Sequence, residues 1–251
     1  TELWNGSSWT EVNDTNTARK QGGASGLSTS AMYFNGTIPP GFVANAESWN
    51  GTNWTTVANM GSARYRVGGA GTNNTSAASF GGSDPAGLIA ATEEWNTGVA
   101  IGAWSTGGNL NTARKSLAGA GIQTAALGFG GETPGDGDMN ETESYNGTSW
   151  TEVNNLTTGR RSLMGAGTNT AALAFGGTTA PFNVLTITET WNGTNWAEVN
   201  DMNSARQQGG GTGATNTACL GFGGYAPPGG RTANTEIWNG TNWTEVNNLN
   251  A

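Results

Sequence analysis

Short runs of alternating apolar and polar residues follow one another along the whole chain. From Thr186 to Trp191, Thr alternates with apolar and charged residues at the period of two that is typical of a strand. Asn192-Gly193 then offers the positive φ angles of a tight turn. Around this turn we predict four short strands, at residues 161–166, 170–175, 186–191 and 196–199. No window has the apolar spacing of an amphipathic helix, so the sequence predicts an all-β fold.

The same marks recur in the same order at a period of about 47 residues. Each copy has an Arg after a small polar pair, an apolar run ending in Gly-Gly, a Glu two residues before an aromatic residue, and a further Trp. The Arg residues are Arg19, Arg64, Arg114, Arg160 and Arg206, and the Glu residues of the same copies are Glu47, Glu93, Glu143, Glu189 and Glu236. The steps between the Arg residues are 45, 50, 46 and 46, and the long step indicates an insertion, which we place at residues 97–101. In the first copy, Asn35-Gly36 stands where the others have Gly-Gly.

Repeats of this length with four short strands are typical of β-propeller blades, whose radial packing protects the sheet edges. We therefore predict one domain over residues 1–251 with five blades of four antiparallel strands and one surplus terminal hairpin. The predicted repeats are approximately 17–62, 63–112, 113–158, 159–204 and 205–251, and residues 1–16 form an extra half-repeat. The small residues of each first strand suit the crowded axis, and the Trp residues suit the wider rim.

The marks resemble those of the kelch repeat in order and type. In one copy they are Arg160, Gly176-Gly177, Glu189, Trp191 and Trp196, and the resemblance covers essentially the whole chain. It implies a kelch-like β-propeller that binds partners. Two features depart from the family pattern: Trp replaces the usual Tyr of the third strand in five of six copies, and Asn-Gly replaces the usual Asp-Pro turn. The uniformity of the copies is also loosely similar to that of repetitive surface proteins of phages, other viruses and environmental sources.

Two nearly identical hairpins begin and end the array, at residues 1–12 and 235–246. The Arg mark occurs five times but the Glu-x-aromatic hairpin six times, so a five-bladed ring leaves one hairpin over. Three interpretations are open. The chain is part of a longer array or one hairpin packs loosely, the surplus hairpin forms a sixth and incomplete blade, or it completes a neighbouring subunit. The last arrangement would build rings or filaments.

Charge and composition argue against several function classes. The net charge is -8 and the only lysines are Lys20 and Lys115, so no basic stripe is present for nucleic acid. No apolar run approaches the roughly 18 residues of a membrane-spanning helix. The chain has no histidine and a single cysteine, Cys219, which removes the usual general bases, nucleophile partners and zinc ligands. We therefore predict no enzymatic activity, no cofactor, no nucleic-acid partner and no membrane span.

Two groups of charged residues are candidates for ion binding. We expect the ten recurring Arg and Glu residues to form partly buried structural ion pairs that fix the register between blades, because the Arg fork suits bidentate contact with a carboxylate. The alternative is a ring of charges around the axial channel that binds an ion or a small anion. Asp136 and Asp138 lie in a glycine-rich acidic segment and are weak calcium candidates. That segment lacks the full calcium-loop pattern, so we predict a solvated loop and no metal site.

The loops after each Gly-Gly differ most between copies, and variable loops on a rigid scaffold are where binding residues concentrate. Their candidate ligand-binding side chains are Phe42, Leu88, Phe182, Tyr225 and Arg231. Such side chains stack on sugar rings or anchor a protein partner, or they simply cover the ends of the blades. The sequence favours a non-catalytic structural or self-assembling component of a virion, fibre or extracellular surface. The alternative is a binding module for a glycan or protein ligand.

Overall fold

The computed structural model describes residues 1–97, 102–135 and 137–250, and every regular element in these residues is a β-strand. The chain starts with the hairpin of β1 (Glu2–Trp4) and β2 (Trp9–Glu11). Blade 1 follows with β3 (Gly23–Leu27), β4 (Ser30–Phe34), β5 (Thr37–Ile38), β6 (Gly41–Phe42), β7 (Ala46–Trp49) and β8 (Trp54–Val57). Blade 2 contains β9 (Gly68–Asn73), β10 (Ser76–Phe80), β11 (Ser83–Asp84), β12 (Gly87–Leu88), β13 (Thr92–Asn96) and β14 (Ala103–Thr106).

The remaining blades repeat this order of strands. Blade 3 contains β15 (Ala118–Ile122), β16 (Ala125–Phe129), β17 (Glu132–Thr133), β18 (Gly137–Asp138), β19 (Thr142–Tyr145) and β20 (Trp150–Val153). Blade 4 contains β21 (Met164–Gly167), β22 (Ala172–Phe175), β23 (Thr178–Thr179), β24 (Asn183–Val184), β25 (Thr188–Trp191) and β26 (Trp196–Val199). Blade 5 contains β27 (Gly210–Thr215), β28 (Ala218–Phe222), β29 (Tyr225–Ala226), β30 (Gly230–Arg231), β31 (Thr235–Trp238) and β32 (Trp243–Val246).

Each blade is one antiparallel sheet of four long strands in sequence order, and a separate short hairpin is inserted between the second and third of them. The predicted all-β propeller with five blades of four strands is therefore confirmed. In blade 4 the first strand begins at Met164 rather than at residue 161, because Arg161 pairs with Thr178 and Ser162 has a φ of 55°. The predicted insertion lies between β13 and β14, and residues 98–101 of it are outside the described residues. None of the described strands and turns forms a helix that could cross a membrane.

The first strands of the blades surround the axis and pack side by side in the order β3, β9, β15, β21, β27. Their backbones approach so closely that a side chain would not fit between them. A Cβ atom at Gly119 would lie 2.5 Å from the Gly69 carbonyl oxygen, and one at Gly165 would lie 2.8 Å from that of Gly119. Glycine is therefore required here, and backbone forms much of the inner wall of the ring.

The Gly-Gly pairs join each blade to the next. In blade 3, Gly130 and Gly131 have φ angles of 66° and 111°, a conformation that side chains oppose. The turn aims the Gly131 N–H at blade 4, where it donates to the Arg160 carbonyl oxygen at 3.0 Å. In blade 1 the first position is Asn35 with a φ of 60°, and Asn tolerates this region better than most residues. The degenerate pair of the first copy therefore forms the same turn.

The hydrophobic core lies between neighbouring blades. Phe129 at the end of β16 is fully buried, and its ring lies 4.9 Å from that of Trp196 in blade 4. The Trp196 Nε1–H donates to Thr142 Oγ1 of blade 3 at 3.0 Å. Equivalent rings meet at the other junctions, and such aromatic pairs contribute about 0.5–1.5 kcal/mol beyond the area they bury. At these three junctions the outer strand is thus fixed to the blade before it by one ring contact and one hydrogen bond.

The β1–β2 hairpin occupies a sixth position, between blade 5 and blade 1. On one side the Trp9 Nε1–H donates to Thr235 Oγ1 at 3.1 Å, and the Trp9 ring lies 5.0 Å from that of Phe222. On the other side the Trp54 Nε1–H donates to Thr1 Oγ1 at 3.1 Å. These are the contacts that outer strands make between complete blades. The surplus hairpin is therefore a sixth, incomplete blade, and the interpretation of a loosely packed hairpin is wrong.

Candidate functional site

The recurring Arg and Glu residues form one ion pair in each complete blade. Arg114 Nη1 lies 2.6 Å from Glu143 Oε1, and Arg160 Nη1 lies 2.5 Å from Glu189 Oε1. The same contact joins Arg19 to Glu47, Arg64 to Glu93, and Arg206 to Glu236. All five Arg side chains are fully buried, and the partners of each pair belong to the same blade.

Backbone groups complete each ion pair. Glu189 Oε2 accepts the N–H of Thr157 at 2.7 Å, and Arg160 donates to the carbonyl oxygens of Gly176 and Ala174 at 3.0 and 3.2 Å. Burial lowers the pKa of Arg160, while Glu189 opposes this shift by favouring the charged guanidinium. None of the ten paired residues lines the axial channel. Their side chains hold the linker and the outer strands of one blade together, and the connection to the preceding blade runs through the Arg carbonyl instead.

The two ends of the ring differ in composition. At one end, five of the six turns between the third and fourth strands are Asn-Gly turns of nearly the same sequence, whereas blade 2 carries the insertion instead. At the other end lie the five short hairpins, β5–β6, β11–β12, β17–β18, β23–β24 and β29–β30, whose sequences differ. We call this end the hairpin face. Each short hairpin is joined to the start of its blade by a β-bridge, as between Lys20 and Thr37, so one backbone frame carries five different sets of side chains.

A ring of five residues marks the mouth of the axial channel on the hairpin face. Each has a positive φ between 55° and 60°, and their backbones join from blade to blade by N–H to carbonyl hydrogen bonds of 2.8 to 2.9 Å. The five residues of this mouth ring are Gln21, Arg66, Ser116, Ser162 and Gln208. Together with Lys20 and Arg231 they line a cavity of about 460 Å³. The mouth therefore offers amides, hydroxyls and cationic groups within one concave surface.

A carboxylate in the wall below the mouth engages several of these groups. Glu132 is buried, and its Oε1 lies 3.1 Å from Arg66 Nη1 and 2.8 Å from Ser116 Oγ. Its Oε2 lies 3.2 Å from Arg161 Nη1, and Arg161 also lies 3.6 Å from Asp138 Oδ1. Glu132 of blade 3 therefore pairs with Arg66 of blade 2 and Arg161 of blade 4. These ion pairs fix the position of two guanidinium groups near the mouth.

The structure places all five predicted ligand-binding residues on the hairpin face. Phe42 stacks on Tyr65 with ring centroids 4.7 Å apart, and Leu88 is half-buried in β12. Phe182, at the tip of the β23–β24 hairpin, is 75% exposed. Tyr225 is 40% exposed and lies opposite Arg231 in the register of β29 and β30. Blade 5 thus presents an aromatic ring beside a cation at the edge of the mouth.

Of the weak calcium candidates, Asp136 lies outside the described residues. Asp138 Oδ2 accepts the N–H of Ala180 at 2.6 Å, and the guanidinium of Arg161 faces its other oxygen. A cation so close to the carboxylate disfavours a second cation there. In the portion of the chain that the structure describes, no three His, Cys, Asp or Glu side chains converge as metal ligands.

Cys219 lies in β28 and is 4% exposed. Its Sγ donates to the Thr215 carbonyl oxygen at 2.9 Å, and burial raises the pKa of the thiol to about 12. The thiol therefore stays protonated at neutral pH and is a poor nucleophile, since the thiolate is the reactive form.

The mouth ring was not predicted from the sequence. Its members stand two residues after each recurring Arg, at a position where the copies carry Gln, Arg, Ser, Ser and Gln. Variation beside the constant Arg is the signal that could have located it. The predicted binding loops contain short hairpins. The sequence did not predict these hairpins, because strands of two residues are too short to show an alternating pattern.

The chain matches no known protein-family model, and no curated protein is similar to it.

Proposed function

We propose that this β-propeller is a non-catalytic binding scaffold of kelch type, and that the hairpin face binds an acidic glycan. The observation that carries the proposal is the contrast between the two ends of the ring. Side chains vary on five equivalently placed hairpins at the hairpin face, while five of the six turns at the other end carry the same Asn-Gly pair. A rigid frame with varied side chains at one end is the usual arrangement of a binding surface.

The ligand class follows from the groups exposed on the hairpin face. Tyr225 and Phe182 offer exposed rings there, and aromatic faces bind the apolar faces of sugars. Lys20, Arg66 and Arg231 line the cavity at the mouth and favour an anionic ligand, although the chain as a whole carries a net charge of -8. Amides and hydroxyls of the mouth ring complement sugar hydroxyls. An oligosaccharide with carboxylate or sulfate groups satisfies all three features.

The test is calorimetric titration with a panel of acidic and neutral oligosaccharides. We expect saturable binding of an acidic member, and the Tyr225→Ala and Arg231→Ala variants should each weaken it about tenfold or more, a loss of roughly 1.4 kcal/mol. Thr194→Ala, on the uniform end, is the matched control and should bind as the unaltered chain does. Equal binding by all variants would place the ligand elsewhere, and no binding by any panel member would overturn the glycan proposal.

A second candidate, a structural component of a virion, fibre or extracellular surface, is favoured by the incomplete sixth blade. An open ring exposes strand edges, and natural proteins normally cover or pair such edges. Light scattering behind size exclusion, over a concentration series, tests this candidate. Defined multiples of 25.6 kDa or growth with concentration would support self-assembly, whereas a constant mass of 25.6 kDa would argue against it.

A further inference from the structure

The short hairpin of blade 4, which carries Phe182 in its turn, is held by a side chain of blade 3. Asp138 ends β18, and its Oδ2 accepts the N–H of Ala180 at 2.6 Å across the junction between the two blades. The turn that contains Ala180 also contains Phe182, whose side chain is 75% exposed. A carboxylate of one blade therefore fixes the turn that presents an exposed ring on the next blade.

Arg161 fixes the base of the same hairpin. Its backbone exchanges two hydrogen bonds with Thr178, the first residue of β23, at 2.9 and 3.0 Å. Its guanidinium lies 3.6 Å from Asp138 Oδ1 and 3.2 Å from Glu132 Oε2. The side chains of Arg161 and Asp138 are only 11% and 14% exposed, so the ion pair between them is largely shielded from water. The hairpin is thus held at its base and at its turn, and this ion pair joins the two points of attachment.

The position of Asp138 carries a different residue in every other blade. The residues that pair with the first residue of each short hairpin in blades 1, 2, 4 and 5 are Phe42, Leu88, Val184 and Arg231. Blade 2 has a carboxylate nearby, but Asp84 Oδ1 accepts the N–H groups of Ala86 and Gly87 in its own turn. Asp138 therefore differs from Asp84 in acting between two blades rather than within one hairpin.

The surroundings of Phe182 differ in charge from the mouth of the channel. Residues 178–184 contain no charged side chain. The cations on the adjoining linkers of blades 3 and 4, Lys115 and Arg161, both face the carboxylate of Glu132. The cations that line the mouth cavity lie outside this hairpin. An anionic group is therefore favoured at the mouth, whereas the exposed ring of Phe182 suits the apolar face of an uncharged sugar.

We infer that Asp138 is a positioning residue, which holds the β23–β24 hairpin so that Phe182 forms a subsite for a neutral sugar ring. The inference rests on the proposed binding of an acidic glycan to the hairpin face. It narrows the ligand to an oligosaccharide in which an acidic unit, bound at the mouth, is joined to neutral units, one of which stacks on Phe182. Because the turn is fixed before the ligand arrives, less conformational entropy is lost on binding.

The positioning role is tested first without a ligand. In the Asp138→Ala variant the Ala180 amide loses its acceptor, so its hydrogen exchange should become at least about tenfold faster. Asp138→Asn keeps an oxygen that accepts this N–H, and exchange should stay close to that of the unaltered chain. Asp84→Ala is the matched control, because the Asp84 carboxylate binds only within its own turn in the described hairpins. Unchanged exchange at Ala180 in the Asp138→Ala variant would overturn the positioning role.

The sugar subsite is tested by NMR titration with an acidic monosaccharide and with an oligosaccharide that joins the same acidic unit to neutral ones. Phe182→Ala should weaken binding of the oligosaccharide about tenfold and leave binding of the monosaccharide unchanged. Asp138→Ala should also weaken only the oligosaccharide, and it should cause no further loss when Phe182 is already replaced by Ala. Arg231→Ala, at the mouth, should weaken both ligands.

The outcomes separate the subsite from the proposed function. If neither ligand binds, the proposed function fails and the sugar subsite fails with it, while hydrogen exchange at Ala180 still decides whether Asp138 holds the turn. If the oligosaccharide binds and Phe182→Ala does not weaken it, the glycan site stands and the subsite is overturned. If Asp138→Ala weakens binding equally with and without the Phe182 ring, Asp138 does not act through Phe182, and its positioning role is overturned.

Discussion

The junction between blades 4 and 5 and the gap between blades 5 and 1 are built from the same residue types, but only the first is closed. At the closed junction Phe175 is fully buried against Trp243, and the Gly177 N–H has its acceptor. Beside the gap Phe222 meets Trp9 at a similar distance but remains partly exposed. The comparison shows that the outer strands are positioned by rim contacts alone, whereas burial of the aromatic core depends on the two inner strands of a blade.

We expect the largest difference in the free energy of unfolding between the Glu236→Ala and Glu2→Ala variants. Both carboxylates bind an Asn of the preceding linker, but only Glu236 neutralises a fully buried Arg. Removing one partner of a buried ion pair costs about 3–5 kcal/mol, so Glu236→Ala should lower the free energy of unfolding by that amount. Glu2→Ala should cost less than about 1 kcal/mol, as for exposed polar contacts. Urea titration of the two variants measures both values, and equal losses would mean that Arg206 is not stabilised by its carboxylate.

The second contrast compares Phe175→Ala with Phe222→Ala. Truncating a fully buried Phe costs about 3–5 kcal/mol, because apolar contacts are lost and a cavity remains. Phe222 already faces the gap between blades 5 and 1, so its replacement should lower the free energy of unfolding by less than half as much. Equilibrium unfolding in urea gives the two losses. Similar losses for the two variants would show that the space beside Phe222 is closed in solution.

We expect a smaller change in the free energy of unfolding from a substitution at the junction of blades 1 and 2. The buried Trp104 Nε1–H has no acceptor, because Ala46 stands where the other outer strands begin with Thr. Ala46→Thr should restore the hydrogen bond and stabilise the fold by about 1 kcal/mol. Ala46→Val is the control, since it adds the same bulk without a hydroxyl. If both variants change the free energy of unfolding equally, the missing hydrogen bond is not the cause.

The smallest expected effect is on the reactivity of the Cys219 thiol, which is buried between blades 4 and 5. Burial raises the pKa of the thiol to about 12 from its ordinary value of 9.0, so the folded state holds its proton above pH 9 while the unfolded state loses it. The contribution to stability is therefore complete below pH 9 and is lost as the pH rises toward 12. Alkylation by iodoacetamide at pH 9 should be far slower than for a free cysteine, and urea should restore the rate. Fast alkylation of the folded chain would show that the junction between blades 4 and 5 opens to solvent.

Much of the fold could be predicted from the sequence because each structural motif recurs in several copies of the repeat. The Gly-Gly pairs, the Glu-x-aromatic strands and the Asn-Gly turns each fix a backbone conformation locally. The position of the β1–β2 hairpin could not be predicted, because it depends on contacts such as Trp9 with Thr235, which are 226 residues apart. The short hairpins and the mouth ring were missed for another reason. Their conformation is imposed by β-bridges and neighbouring blades rather than by residue preference, as the positive φ of Arg66 and Ser162 shows.

The identical linkages between blades have a consequence for how such a ring can change. Asn154 reaches the turn of blade 4 through Thr194 in the way that Asn200 reaches blade 5 through Thr241. Because the complete blades share most of these backbone connections, whole repeats are largely interchangeable units. Exchanging two repeats would move a residue such as Gln208 around the mouth while the backbone connections of each junction keep their form. Recombination between repeats can therefore change the order of the side chains around the hairpin face without any point substitution.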